Sequence, residues 1–137
     1  MDSLTQNYAY MVMDNEAGME HLSRRTTHNI DELLLVSDHS VKGVRTIARL
    51  RNLINELNLA IKRQSVIINF VPDEIDPLVS RELDRLGIEP TTTIPLDEEI
   101  NEYDLKLKSF LELPDTSRAV RAVDNLMTNI LKINEGL

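Results

Sequence analysis

The chain has 137 residues, enough for one domain with one sizeable core. Its 23 acidic and 15 basic residues give a formal net charge of -8, which disfavours nucleic acid and anionic membranes as partners. It has no Cys, so it forms neither disulfides nor thiolate metal sites. No apolar run approaches the roughly 18 residues of a membrane span, and no signal peptide is visible. We therefore expect a cytoplasmic protein.

The first apolar run, Tyr8 to Met13, leads directly into Asp14 and then Asn-Glu-Ala-Gly. This pattern predicts a strand that is buried on both faces and carries Asp14 at its carboxyl end, where ligand sites of open α/β sheets lie. Gly18 allows the backbone to turn afterwards. A carboxylate in this position suits magnesium, because a hard cation prefers oxygen ligands. The simpler interpretation is a buried strand followed by a turn.

Strands and helices alternate through the next part of the chain. Three apolar or β-branched runs predict further strands: Leu33–Val36, Ser65–Phe70 and Thr91–Ile94. Helical spacing of apolar residues predicts a helix from Val41 to Asn58 with Ser40 as its N-cap. A second helix is predicted to follow Asp76 and Pro77 and to end at Gly87.

The last third of the chain is predicted to be helical with one irregular crossing. Its elements are a charged segment Glu98–Lys108 packed down by Ile100, Tyr103, Leu105 and Leu107, an irregular stretch Ser109–Asp115, and an amphipathic helix capped by Thr116 or Ser117 that continues to the end. The alternation predicts a single α/β domain over residues 1–137, with a mainly parallel sheet of about four strands flanked by helices.

The run from Asp14 to Arg24, with its Glu-Ala-Gly-x-Glu-His-x-x-Arg pattern, resembles the switch segment of MinD/ParA-like P-loop ATPases. It is most similar to the CooC-type ATPases, which help to insert nickel into carbon monoxide dehydrogenase. Four later segments of the chain resemble later segments of the family, in the same order: Asp38–Thr46, Ile68-Asn69, Ile94–Glu98 and Phe110–Ala122. The resemblance covers nearly the whole chain and implies a partial three-layer P-loop NTPase-like fold.

The resemblance also implies roles for individual residues. It places Asp14, Glu16 and Gly18 in the catalytic switch, with Asp14 also at the magnesium ion, and it places Asn69, Pro95 and Asp97 at the adenine base. An Asn amide offers both a donor and an acceptor to an aminopurine. ATP and Mg²⁺ are the implied cofactors of the complete protein. Without the resemblance, we would interpret Asn69 as a side chain that hydrogen-bonds the backbone at the end of a strand, and Pro95 as part of a simple turn.

The sequence departs from this family at the phosphate-binding loop. The family's glycine-rich loop, ending in Gly-Lys-Thr or Gly-Lys-Ser, is absent, and the chain has only 4 glycines. The family's loop strand also lies beside the strand equivalent to Tyr8–Asp14, so we expect that part of the sheet to be exposed or rearranged. The paired metal-binding cysteines of CooC-type proteins are absent as well. We interpret the chain as the carboxyl-terminal half of such an ATPase, either a fragment of one or a degenerate relative.

Two function classes follow from this interpretation. The chain is either the switch and base-binding half of an ATPase that assists nickel insertion, or a non-catalytic interaction or dimerisation module of the same fold. Whether it is an enzyme stays open, but we expect the chain alone neither to hydrolyse ATP nor to bind it tightly. The expected partner is a second copy or the missing amino-terminal half, with carbon monoxide dehydrogenase as a further candidate, and we expect self-association at micromolar concentration. The three histidines are not spaced as metal ligands, and the acidic cluster Asp97–Asp104 is taken as a solvated face.

Overall fold

The computed structural model describes residues 10–15 and 30–132. In chain order the elements are strand β1 (Ile30–Asp38), helix α1 (Val41–Glu56), strand β2 (Ile61–Val71), helix α2 (Pro77–Leu86), strand β3 (Thr92–Pro95), helix α3 (Glu98–Leu105), a 3-10 turn (Phe110–Glu112), helix α4 (Arg118–Asn125) and a π-helical turn (Leu126–Ile130). The strands form one sheet in the order β1-β2-β3, and both neighbouring pairs are parallel. The α/β class and the parallel sheet are therefore confirmed.

Local sequence signals set the ends of α1 and α2. The hydroxyl of Ser40 accepts a hydrogen bond from the backbone N–H of Gly43 at 2.9 Å, as expected of an N-cap. Asp76 caps α2 in the same way, through Leu78 N–H at 2.7 Å. Gly87 ends α2 with a φ of 61°, a left-handed conformation that glycine adopts without a side-chain clash. These three predicted helix boundaries are confirmed.

Strands β1 and β2 both extend beyond the predicted apolar runs. Their additional residues are charged and form ion pairs across the two strands: Asp31 with Lys62 at 2.6 Å and Glu32 with Arg63 at 2.8 Å. Opposite charges on neighbouring strands stabilise the ladder, although exposed pairs contribute little. Apolar runs did not predict these residues as parts of strands, because the amino-terminal ends of both strands are charged.

The first face of the sheet carries the main core. Helices α1 and α2 cover it, and the helices and the strands together contribute one cluster of buried apolar side chains: Leu35, Val44, Ile47, Ile54, Val66, Ile68, Val71, Val79, Leu83 and Ile88. Glu82 of α2 ties the two helices together, since its carboxylate accepts hydrogen bonds from Arg85 and from Arg45 of α1. These guanidinium groups, Arg85 first, lower the pKa of Glu82 from 4.5 to about 2.

Among the described residues, cover on the second face is found over β2 and β3 only. There Ile67 packs with Leu126 and Leu131, and Ile94 lies against the same cluster. The predicted continuous last helix is wrong in this region, because α4 gives way to the π-helical turn and Leu131 N–H donates to Leu126 C=O at 2.8 Å. In an α-helix, side chains five positions apart diverge by about 140°. The wider turn brings Leu126 and Leu131 onto one side, where both contact the sheet.

The predicted strand at Tyr8–Asp14 is not found in its described part. Residues 10–15 have no regular secondary structure and are exposed, and Val12 is 84% accessible. A strand buried on both faces needs hydrogen-bonded neighbours, and the sequence lacks the phosphate-loop strand that the family places beside it. The described sheet accordingly has three strands rather than about four.

The predicted packing of the charged segment is also wrong at its carboxyl end. Leu105 and Leu107 are 85% and 93% exposed, because α3 ends at Leu105 and Leu107 has a positive φ of 51° that turns the chain away. The irregular crossing that follows contains the 3-10 turn, and Ser117 rather than Thr116 is the cap of α4. Within residues 10–15 and 30–132, no helix is long and apolar enough to cross a bilayer.

Candidate functional site

The carboxyl ends of the three strands meet at one edge of the sheet. In the register of the ladders, Asp38 at the end of β1 pairs with Asn69 of β2, and Val71 of β2 pairs with Pro95 at the end of β3. Parallel strands place such residues on a common edge, and ligand sites of open α/β sheets occur there. The structure thus brings Asn69 and Pro95, which the sequence analysis assigned to one site, to the same edge.

The end of β2 is irregular at Asn69 and Phe70. The β2–β3 register shifts between Ile68 and Val71, and Phe70 has a φ of 58°. Asn69 Oδ1 accepts a hydrogen bond from the backbone N–H of Phe70 at 2.9 Å, so this oxygen satisfies a strand-end donor. A left-handed conformation costs a bulky residue on the order of 1–2 kcal/mol, and such strain occurs most often at functional sites. No signal in the sequence pointed to Phe70.

Asp97 is an anchor for two helices. Its Oδ1 accepts from Glu99 N–H at 2.9 Å at the start of α3. Its Oδ2 accepts from Ser117 Oγ at 2.6 Å and from Ala119 N–H at 3.0 Å at the start of α4. The Ala119 N–H and the Ser117 hydroxyl hold the pKa of Asp97 below its ordinary value. Since these donors occupy both carboxylate oxygens, the contribution of Asp97 to the edge is to position the chain around it.

A cleft of about 520 Å³ opens between the loops that follow β2 and β3. Its lining consists of Pro72, Asp73, Leu96, Asp97, Glu98, Glu99, Thr116 and Arg118. Glu99 Oε2 is buried and has no hydrogen-bond partner among the described residues. A buried acceptor without a donor is costly, so this oxygen has capacity for a hydrogen bond from a ligand or from water. Sequence analysis placed Glu99 in a solvated acidic face and missed it.

The charge of the cleft is unfavourable for phosphate. Four carboxylate residues line it, and Arg118 is the single basic residue of the lining. The Arg118 guanidinium already pairs with Asp73 at 3.3 Å. A polyphosphate needs several oriented donors and positive charge in place of its water. The lining therefore fits a neutral ligand that donates hydrogen bonds better than it fits a triphosphate.

The loop between β1 and α1 forms a second polar part of the edge. Ser40 Oγ donates to Asp38 Oδ1 at 2.6 Å, and His39 Nε2 accepts from the backbone N–H of Asp76 at 2.9 Å. A Cβ atom at Gly43 would lie 2.3 Å from Asp38 Oδ1 and 3.1 Å from the Cβ of Ser37. A larger residue at position 43 would therefore require the Asp38 carboxylate to move. His39 acts as a structural acceptor in this arrangement.

Of the predicted switch residues, the structure describes Asp14 alone. Asp14 is exposed in the irregular segment 10–15, whereas Glu16 and Gly18 lie outside the described residues, as do His21 and His28. Over residues 10–15 and 30–132, no three His, Asp or Glu side chains gather as a metal site. The assignment of Asp14 to magnesium and of the switch to catalysis remains a prediction.

Solved structures identify the architecture. The fold matches a ParA family ATPase from Chlorobium tepidum with a TM-score of 0.59 at 24% identity, covering 73% of this chain and 41% of that one. It matches the MinD cell division protein of Aquifex aeolicus with a TM-score of 0.58 at 19% identity, covering 78% and 46%. The fold is that of ParA- and MinD-type ATPases. The predicted P-loop NTPase-like class is thereby confirmed.

Two sequence relatives are described as ATP-binding proteins. The chain is 36% identical over 131 residues to an uncharacterized ATP-binding protein of Methanocaldococcus jannaschii, covering 96% of the chain and 52% of the relative. A second uncharacterized ATP-binding protein of the same organism is 32% identical over 127 residues, with coverages of 90% and 46%. The chain thus spans about half the length of these relatives. No protein-family profile matches it.

Proposed function

We propose that this chain is the switch and base-binding half of a nucleotide-dependent ATPase of the ParA/MinD type. The observation that carries the proposal is the cleft beside the carboxyl ends of β2 and β3, whose lining includes Glu99, a residue with a buried Oε2 that has no donor among the described residues. Two relatives that are described as ATP-binding proteins support a nucleotide as the ligand.

The chemistry of the cleft favours the adenine base over the other parts of ATP. The amino group of adenine is a hydrogen-bond donor, which Glu99 Oε2 lacks in the described structure. Leu96 and Pro72 supply apolar surface for a ring. In this proposal Asn69 and Pro95 border the base, and Asp97 holds the helices that shape the cleft.

In this proposal, residues outside the cleft form the rest of the ATP site. The chain has no glycine-rich phosphate loop, so the phosphates require a second part of the fold. Asp14 would contribute an oxygen ligand to Mg²⁺, with Glu16 and Gly18 in the loop that responds to the terminal phosphate. Each of these roles rests on the resemblance of the run from Asp14 to Arg24.

The resemblance of that same run to CooC-type ATPases supports a more specific role in nickel insertion into carbon monoxide dehydrogenase, which would then be the client protein. The paired cysteines of those proteins are absent here. Any metal transfer would therefore use ligands other than thiolates of this chain. Purified carbon monoxide dehydrogenase should bind the complete ATPase in a pull-down assay if this role is correct.

Base recognition can be tested with nucleosides, which avoid the contribution of phosphate. We expect adenosine to bind weakly, with Kd on the order of 1 mM, in an NMR titration of the chain, and inosine to bind at least about tenfold more weakly because its carbonyl replaces the amino donor. Glu99→Gln should reduce this discrimination, since its amide supplies a donor toward either base. Glu98→Gln is the matched control, because Glu98 lines the cleft but is exposed.

Equal binding of adenosine and inosine, or equal effects of the two Gln variants, would contradict base recognition by Glu99. Magnesium ATP should bind the isolated chain no more tightly than adenosine, and calorimetry can measure both. Tight ATP binding or steady phosphate release by the chain alone would reveal a phosphate site outside this cleft.

A further inference from the structure

We propose that His39 is a positioning residue for the cleft: its neutral imidazole holds the loop between β2 and α2, residues 72–76, and its protonation releases this loop and weakens ligand binding. The part that concerns the ligand rests on the proposed function and deepens it, because it adds regulation by pH to the same cleft. The part that concerns the loop is independent of any ligand and can be tested alone.

The hydrogen bond between His39 and the loop defines the state of the imidazole. Its acceptor is His39 Nε2 and its donor is the backbone N–H of Asp76, at 2.9 Å. A backbone N–H can only donate, so Nε2 is unprotonated and the ring proton lies on Nδ1. Protonation of Nε2 would replace the acceptor with a second donor, and the bond exists only while the imidazole is neutral. Histidine is the side chain that ordinarily changes charge between about pH 5 and about pH 8.

The turn that carries His39 is fixed on both sides of that residue. Ser40 N–H donates to Asp38 C=O at 2.9 Å, and Ser40 Oγ donates to Asp38 Oδ1 at 2.6 Å. The same hydroxyl accepts from Gly43 N–H at 2.9 Å and so ties the turn to the start of α1. His39 itself is half-buried. The acceptor is therefore held in place by the turn, and the movement that follows protonation falls on the exposed loop opposite it.

The loop held by His39 forms one wall of the cleft. Pro72 and Asp73 belong to the cleft lining, and Asp73 pairs with Arg118 at the start of α4 at 3.3 Å. Ile75 packs against the main core and attaches the loop to the body of the domain. The bond to His39 adds a lateral attachment at the α2 end. Its loss changes the position of the wall that carries Asp73.

The loop is short and stiff, so a change at one end reaches the other. It lies between Val71, the last residue of β2, and Pro77, the first residue of α2. Proline fixes its own φ, and the chain has proline at both positions 72 and 77. Few backbone angles remain to absorb a displacement of Asp76. The displacement is therefore passed on to the cleft lining.

A protonated His39 finds alternative partners in its surroundings. The charged residues of the turn, the start of α1 and the loop are Asp38, Lys42, Asp73, Glu74 and Asp76. On the neighbouring helices, Arg45 and Glu82 already pair with each other. The Asp76 carboxylate belongs to the residue that loses the bond, and it caps α2 by accepting from Leu78 N–H at 2.7 Å. An imidazolium that donates to this carboxylate competes with the cap and draws the loop out of its present position.

The test compares wild type, His39→Gln and His39→Leu by NMR at about pH 7.5 and about pH 5.5. Gln offers an amide oxygen as acceptor and does not titrate, whereas Leu offers no acceptor. In wild type at the higher pH, proton–nitrogen spectra should place the His39 ring proton on Nδ1. The Asp76 amide should be protected from hydrogen exchange in wild type and in His39→Gln, but not in His39→Leu.

Acid should make wild type resemble His39→Leu. After correction for the intrinsic pH dependence of exchange, the Asp76 amide should lose about twofold to tenfold of its protection, the factor expected for one hydrogen bond. The amides of Asp73 and Thr116, which belong to the cleft lining, should shift over the same pH range. His39→Gln should show neither change.

Adenosine is the ligand probe. Its affinity for wild type should fall about twofold to tenfold between the two pH values, because the displaced loop no longer completes the cleft. The affinity of His39→Gln should stay constant over this range. His39→Leu should bind adenosine as weakly at the higher pH as wild type does at the lower pH.

A ring proton on Nε2 at about pH 7.5, or an equal pH response of wild type and His39→Gln, would overturn the proposal. A response of Asp76 that leaves the amides of Asp73 and Thr116 unchanged would overturn the link to the cleft. Adenosine binding that discriminates against inosine but ignores pH would overturn the regulation and keep the proposed function. Absence of adenosine binding at either pH would remove the proposed function, while the amide readouts would still decide the role of His39.

Discussion

The two parts of the second sheet face differ in cover rather than in sequence. Val36 of β1 and Ile67 of β2 are register partners on the same face, and both belong to apolar runs. Ile67 is 2% exposed beneath Leu126 and Leu131, whereas Val36 is 52% exposed. Burial of a β-strand residue is therefore decided here by which helix reaches it, and α4 with its π-helical turn reaches only β2 and β3.

The largest difference should come from truncating the two register partners. Ile67→Ala should lower the free energy of unfolding by about 2–5 kcal/mol, because it leaves a cavity under Leu126. Val36→Ala should cost less than about 1 kcal/mol, since half of that side chain is already in water. Urea unfolding of the isolated chain measures both values. Equal losses would mean that the second face of β1 is covered in solution.

A smaller loss of stability is expected when the attachment of α4, which covers β2 and β3, is weakened. Asp97→Ala removes the side-chain acceptors at the starts of α3 and α4 and should cost about 2–3 kcal/mol. Hydrogen exchange should accelerate in α4 and change little in β1. Asp73→Ala is the control, because its exposed ion pair with Arg118 contributes little.

The stabilisation that the Asp97 carboxylate contributes should depend on pH. The folded pKa of Asp97 lies below the ordinary 3.8, so its stabilisation is present above pH 3.8 and is lost as the pH falls toward the lowered folded pKa. The stability difference between wild type and Asp97→Ala should therefore shrink in acid. A constant difference from about pH 6 to about pH 2 would be inconsistent with an ionised cap.

The smallest effect should appear at the strand end between the two regions. Because Phe70 has a φ of 58°, Phe70→Gly should be more stable than Phe70→Ala by about 0.5–1 kcal/mol, the reverse of the usual order in a strand. Thermal unfolding of the two variants can resolve this difference. A more stable Ala variant would indicate an ordinary extended conformation at residue 70.

Local signals predicted much of the fold. Ser40, Asp76 and Gly87 defined helix ends because caps act through hydrogen bonds and backbone conformations within a few residues. The strand at Tyr8–Asp14 failed because a buried strand depends on neighbours that the sequence of the strand itself does not specify. The π-helical turn was missed for a related reason, since contact of Leu126 and Leu131 with the sheet outweighs local helical regularity.

The candidate site was less predictable than the fold. The alternation of strands and helices predicts parallel strands, and this was enough to place Asn69 and Pro95 at one edge of the sheet. The capping role of Asp97 depends on Ser117 and Ala119, which approach it only after α4 packs on the sheet. Glu99 could not be separated from its acidic neighbours, because charge in a sequence does not reveal which carboxylate oxygen becomes buried without a donor.

The parallel arrangement of β1 and β2 also has a kinetic consequence. Asp31 and Lys62, which pair across these strands, are 31 residues apart, whereas Val66 and Thr91, which link β2 to β3, are 25 apart. Loop closure costs on the order of 3 kcal/mol for either segment, so the two lengths differ little in entropy. The order of assembly then depends on how much apolar surface each strand buries when it pairs: β1 contributes the buried Leu35 to the main core, whereas no residue of β3 is buried. We expect β3 to join the refolding chain last, and an unpaired β2 edge during that interval makes aggregation the main competitor of folding.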